Sequence, residues 1–145
     1  MSLIKTDCIE FRDKRAKCVA QQKGRKFTLI NNSGHLISKV KIDGCVIKEE
    51  RTKCDYLFKV EAASNARALF VELKGGGLND AMKQILSTID YLKDELHGWR
   101  LDARIVSSGN VPDLKSFPNY RELNRAVRKT GGDIDRKTLY YNETC

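Results

Sequence analysis

The sequence holds only two prolines, Pro112 and Pro118, both in a short stretch ahead of a late helix-like segment. A Pro-rich linker is thereby excluded. With no internal repeat or low-complexity stretch either, the 145 residues read as one domain spanning 1–145. Histidine is equally scarce: His35 and His97 are the whole supply, and neither stands at a ligand-like spacing from a cysteine. The five cysteines, Cys8, Cys18, Cys45, Cys54 and Cys145, form no CxxC pair, so no structural zinc site is expected. No apolar run approaches a membrane span, and the N-terminus lacks the apolar stretch of a signal peptide. The expectation is therefore no membrane association, a cytoplasmic location and reduced thiols, with Cys45 and Cys54 acting as small core side chains.

Positive charge is what the chain has in excess. Lys plus Arg is 27 against 19 for Asp plus Glu, a formal net charge of +8. Residues 1–55 carry 13 basic and 7 acidic side chains, residues 56–100 carry 6 of each, and residues 101–145 carry 8 and 6. Arg12 to Lys26 alone holds seven basic groups and one acid. A polyanionic partner is compatible with this distribution; a solvated basic face is the plainer alternative.

Hydrophobic periodicity divides the chain in two. Leu3, Ile4, Cys8, Phe11 and Arg15 fit one face of a short helix. A hairpin is expected from Lys17 to Gln21 and Lys26 to Asn31, turning at Lys23-Gly24. Leu36 to Ile42 alternates as a strand, and Asp43-Gly44 signals a hairpin with Cys45-Val46-Ile47 as its return arm. Cys54 to Val60 and Ala68 to Lys74 read as two further strands. After Gly75-Gly76-Gly77 the period becomes helical, with Leu78, Ala81, Met82, Ile85, Leu86, Ile89, Leu92 and Leu96 on one face. Then come a strand at Leu101 to Val106, a helix from Tyr120 to Lys129 closed by Gly131-Gly132, and an edge strand at Leu139-Tyr140-Tyr141. The expected class is α/β (α+β): a mixed central sheet with antiparallel hairpins, flanked by helices.

The chemistry concentrates between Cys54 and Gly77. Alternation puts Glu72 and Lys74 on one face of their strand, with Val71 and Leu73 on the other. If the strand beginning at Asp55 lies alongside, Asp55 meets Glu72 over that face. Two converging carboxylates beside an ammonium suit a divalent cation, and magnesium in particular takes one or two carboxylates, waters and a substrate phosphate. Such an ion would acidify a bound water and stabilise a phosphodiester's leaving oxygen. Lys74 would orient the water or neutralise charge on the phosphorus. Against this stands the common case of Glu-x-Lys as a solvated ion pair. The apolar Ala68-Leu69-Phe70-Val71 ahead of it, the acid 17 residues upstream and the glycines and helix behind favour the site.

In Asp55, Glu72 and Lys74 the sequence resembles the restriction-endonuclease-like, PD-(D/E)xK, nuclease superfamily, over Ile37 to Leu96. Members place an Asp at one strand and Glu-x-Lys on the next, with a helix behind. The resemblance implies a restriction-endonuclease-like fold and a metal-dependent nuclease, with Mg²⁺ or Mn²⁺, hydrolysing phosphodiester bonds in nucleic acid, DNA by preference. Asp55 and Glu72 would bind the metal, and Asp55, Glu72 and Lys74 would form the catalytic set. Cys54 replaces the motif's proline. Members often add a Glu from an N-terminal helix, for which Glu10 is the candidate; Glu49 and Glu50 are expected to face solvent and Asp43 to serve its turn. Some members use a glutamine on the following helix to touch substrate, here Gln84; solvent exposure is the alternative.

Arg12, Lys14, Arg15, Lys23, Arg25 and Lys26, with the stripe Arg121, Arg125 and Arg128, are the candidates for gripping a phosphate backbone. Trp99 is expected to be a packing anchor. So small a chain leaves little room for base-reading elements, so cleavage is expected to be structure-selective or weakly specific, and a homodimer is natural if both strands are cut. The competing reading is a catalytically inactive module of the same fold that binds nucleic acid or a protein partner.

Overall fold

A computed structural model of the chain describes residues 2–74, 77–109 and 112–145. It is a mixed α/β structure of three layers, with two helices and two sheets. The strands are β1 (Ile9–Asp13), β2 (Lys17–Gln22), β3 (Arg25–Ile30), β4 (Leu36–Lys41), β5 (Tyr56–Ala62), β6 (Asn65–Lys74), β7 (Arg100–Ser107), β8 (Ile134–Thr138) and β9 (Tyr140–Thr144). Helix α1 spans Leu78–Leu92 and α2 spans Tyr120–Arg128. The larger sheet runs β1-β4-β5-β6-β7-β8, and the smaller runs β2-β3-β9.

The larger sheet changes character at β6. β1, β4, β5 and β6 pair antiparallel in turn, whereas β6, β7 and β8 are parallel. Parallel neighbours need a crossover, which α1 supplies from β6 to β7 and α2 from β7 to β8. Both helices share one core with one face of the sheet, where Phe70, Leu78, Met82, Ile85, Leu123 and Val127 meet. The small sheet covers the other face through Phe27, Leu29, Phe58, Leu69, Val71 and Tyr141. β6 is accordingly buried on both faces, which explains its near-continuous apolar run.

Several expectations hold at element level. The β2–β3 hairpin turns through Lys23 (φ 49°) and Gly24 (φ 80°), two successive positive φ angles that suit a tight hairpin turn. Trp99 packs half-buried against the helix-side core, beneath the Lys59 ammonium.

Others are corrected. The N-terminal segment is a short 3-10 turn, Thr6–Cys8, followed by β1 on the sheet edge, not a helix. Asp43-Gly44 does turn, but Cys45-Val46-Ile47 forms no return strand. It coils into a tight loop that buries Val46 and Ile47, and the partner of β4 is β5. Cys45 is not a reduced core thiol but forms a disulfide with Cys8; Cys18, Cys54 and Cys145 are free. The single expected sheet is two, because the β2–β3 hairpin folds over the main sheet instead of joining it. Tyr140 and Tyr141 do lie on an edge strand, but of the smaller sheet, parallel to β3, and β8 went unforeseen. Helix α1 ends at Leu92, short of Leu96, which is still buried in the turns that follow. The glycines Gly75 and Gly76 of the expected connection lie outside the described residues.

Candidate active site

Antiparallel register brings the acidic pair together. Tyr56 pairs with Val71, so Asp55, one residue before β5, falls opposite Glu72 on β6. The backbone N–H of Asp55 donates to Glu72 Oε1 (3.0 Å), and the Leu73 N–H donates to Asp55 Oδ2 (2.9 Å). Each carboxyl thus accepts from backbone beside the other. Glu72 lies on the helix side of the sheet in line with Phe70 and is 3% exposed. Burial, and then the charge of Asp55, push its carboxyl up to about 8, while Lys74 pulls it back. Burial also raises Asp55, partly offset by the Leu73 amide. At neutral pH the pair therefore holds a proton mainly on Glu72.

Helix α1 fixes the segment that delivers Asp55. Thr88 Oγ1 accepts from the Cys54 N–H (2.9 Å) and donates to the Gln84 carbonyl (2.8 Å). Gln84 Nε2 donates to the Lys53 carbonyl (3.1 Å). Gln84 is thus half-buried, not solvent-exposed, and its Oε1 is buried without a partner. Thr88 lies among the apolar positions of α1, and sequence reasoning missed it; a threonine four residues after a glutamine on a buried helix face was the available signal.

Two clefts flank the pair. One, of about 380 Å³, opens beside α1 and is lined by Lys74, Asp80, Lys83, Gln84, Asp43, Arg51, Thr52 and Lys53. The other, about 260 Å³, lies against the β2–β3 hairpin and is lined by Gln22, Lys41, Asp43, Asp55 and Tyr56. Asp43 lines both, and its charge raises Asp55. Its N–H and that of Ile42 approach the Asp55 carbonyl at 3.4 and 3.1 Å. Asp43 was read as a turn residue only; the same turn carries it to the site. The stem of Lys74 crosses Gly77, where an added Cβ would stand 3.6 Å from Lys74 Cε and from Asp80 Oδ2.

The remaining candidates separate by their partners. Glu10 sits on strand β1 and is held by Lys39 at 2.8 Å, so it does not join the carboxyl pair from a helix. Arg12 pairs with Glu61 (3.2 Å) and Arg15 with Asp13 (2.8 Å), which spends much of the N-terminal charge locally. Lys14 and Lys23 are exposed and Lys26 is half-buried; Arg25 donates to Ser108 Oγ at 3.1 Å. Arg121, Arg125 and Arg128 are exposed on α2, whose N-terminal end is tied to that of α1 by Asn119 N–H to Asn79 Oδ1 (2.8 Å). Glu49 and Glu50 face solvent as expected. The Cys54 thiol, pushed up by burial, is no nucleophile, and burial pushes Cys18 up to about 11.

Two oxygen-donor carboxyls set opposite each other on neighbouring strands fit a magnesium-sized ion completed by water and substrate oxygens. Among the described residues no three or more His, Cys, Asp or Glu side chains gather as a metal cluster, at this site or elsewhere. Nor, among them, is any helix long and apolar enough to cross a membrane. No family model, no curated protein and no solved structure matches this chain.

Proposed function

We propose that this protein is a metal-dependent nuclease that hydrolyses phosphodiester bonds in nucleic acid, DNA in the first instance, on a restriction-endonuclease-like core. The observation that carries the reading is the Asp55–Glu72 pair with Lys74 beside it. A fold that buries two facing carboxylates bears an electrostatic cost that a divalent cation would relieve. The pair also lies where the parallel strand β6 ends, the usual place for ligands in such sheets.

In this reading Asp55 and Glu72 hold Mg²⁺ or Mn²⁺, which supplies charge neutralisation and a more acidic water. Lys74 orients the attacking water or offsets charge at the phosphorus. Thr88 and Gln84 act through the 53–55 segment, and Gln84 also lines the α1 cleft. The flanking cations hold the backbone, and cleavage is structure-selective or weakly sequence-dependent. The reading places the protein in the cytoplasm with its substrate, as a homodimer where both strands are cut; the Cys8–Cys45 bond does not follow from it.

The test is cleavage of single-stranded, duplex and branched DNA with Mg²⁺ or Mn²⁺. Wild-type protein should cleave, chelation should stop it, and Lys74→Ala should lose at least about 100-fold. Absence of cleavage with either metal, with salt-sensitive binding retained, would overturn the enzyme and leave a catalytically inactive nucleic-acid-binding module.

A further inference from the structure

Five arginines are partly or wholly withdrawn from water: Arg25, Arg67, Arg100, Arg104 and Arg136. Three have carboxylate partners. Arg67 and Arg100 reach Asp102 at 2.6 and 3.0 Å, and Arg104 reaches Glu143 at 2.6 Å. Arg25 and Arg136 have none within 4.0 Å among the described residues, and the undescribed Met1, Gly75, Gly76, Asn110 and Val111 bear no carboxylate side chain.

Both unpaired guanidiniums are held by serines where β7 ends. Arg136 Nη1 donates to Ser107 Oγ (3.1 Å) and Thr138 Oγ1 (3.2 Å). Arg25 Nη1 donates to Ser108 Oγ (3.1 Å), and its Nε is buried without a partner. Ser107, the last residue of β7, and Ser108 directly after it thus anchor one arginine each. The placement is firm: the Lys26 N–H donates to the Leu139 carbonyl (2.8 Å) and the Leu139 N–H to that of Ser107 (2.9 Å). Ser107 stands in register with Lys74, so the clamp begins one strand from the acidic pair. Arg136 lines a cleft with Asp135, which accepts from the Tyr141 hydroxyl, and Asp113, which accepts from the Lys115 N–H.

Partly desolvated guanidiniums bonded, among the described residues, only to neutral hydroxyls keep donors for an anion, and oxyanions are what their planar forks match. We propose that Arg25 and Arg136, anchored on Ser108 and Ser107, form a phosphate clamp that holds a nucleic-acid phosphate beside the Asp55–Glu72 pair. The inference builds on the nuclease reading but does not need catalysis. The phosphate is either an internal phosphodiester or a strand's terminal 5′-phosphate.

The test is fluorescence anisotropy in chelator, with short oligothymidylates that carry or lack a 5′-phosphate. Arg25→Gln and Arg136→Gln should each weaken binding about 10-fold and reduce the log–log salt slope by about one. Lys93→Gln, which removes the same charge from the exposed far end of α1, should stay within about twofold. A loss confined to the phosphorylated strand assigns the terminal phosphate; equal loss on both assigns the internal one. In wild-type protein, the side-chain Nε–H resonances of Arg25 and Arg136 should shift on adding either strand, a readout that survives if a variant fails to fold. Unchanged binding in both variants, or unmoved resonances, overturns the clamp while leaving a cleaving enzyme intact. Lost binding in a protein that never cleaves would support the clamp and sink the nuclease.

Discussion

Glu72 and Gly132 show how much a single position carries. The Glu72 carboxyl moves from an ordinary 4.5 to about 8 in the fold. Below the lower value both folded and unfolded chains hold the proton. As pH rises the unfolded chain releases it first, so this group's contribution to stability falls between those two values and levels off above them. Glu72→Gln should therefore melt higher than wild type at pH 8, by on the order of 2 kcal/mol, and the difference should vanish at acid pH. Added Mg²⁺ should stabilise wild type most at the alkaline end and the variant hardly at all. Thermal melts across the pH range read both. At Gly132, an added Cβ would fall 1.7 Å from the Leu101 carbonyl oxygen. Gly132→Ala must push α2 away from β7 and should cost on the order of 3 kcal/mol in denaturant unfolding. Neither effect is legible in sequence: Gly131-Gly132 reads there as a helix stop, which says nothing of the strand pressed against it.

At the scale of elements, two clips hold the segment between β4 and β5. Thr88 and Gln84 on α1 bind the backbone of residues 53 and 54. Thr88→Val leaves the Cys54 N–H buried and unpaired, and should cost about 1–3 kcal/mol. It should also weaken Mg²⁺ binding, measured by calorimetry, because Asp55 follows directly. At the other end, the Cys8–Cys45 bond closes a separation of 37 residues and ties the Asp43 turn to the N-terminal segment. Cys8→Ser should lower stability by about 2–4 kcal/mol, and reductant should bring wild type down to the same level. Most elements were legible, since β2, β3, β5, β6 and α1 each carry an unambiguous period or turn. The Cys45–Ile47 segment was misread because an apolar run after Asp-Gly looks alike whether it pairs as a strand or coils inward. Its fate was decided by a strand and a cysteine elsewhere in the chain.

The whole molecule is held across its layers by charge as well as by apolar packing. Glu143 on β9 accepts from both Arg67 on β6 and Arg104 on β7, joining the small sheet to the large one. Burial tends to lower Arg104, yet hydrogen bonding and the charge of Glu143 raise it overall. Glu143→Gln takes one carboxylate from each guanidinium, leaving Arg67 with Asp102 and Arg104 with Asp133, and should cost about 1–3 kcal/mol, visible as an earlier unfolding midpoint. The alternation expected for a half-exposed sheet is missing from β6 and β7 because this second sheet covers what would have been their open face.

Local sequence determined the periods, the turn at Lys23-Gly24, the helical face of α1 and the alternation that sets Glu72 and Lys74 on one side. Each depends only on residues a few positions apart, where strand and helix geometry leave little freedom. Tertiary structure alone decided that Asp43 joins Asp55, that Thr88 steadies it, that Cys8 reaches Cys45, and that Arg25 and Arg136 converge on consecutive serines from separate layers. Those meetings bring together residues from 12 to 111 positions apart in the chain. Their partners are set by sheet order and layer packing, which no local period encodes.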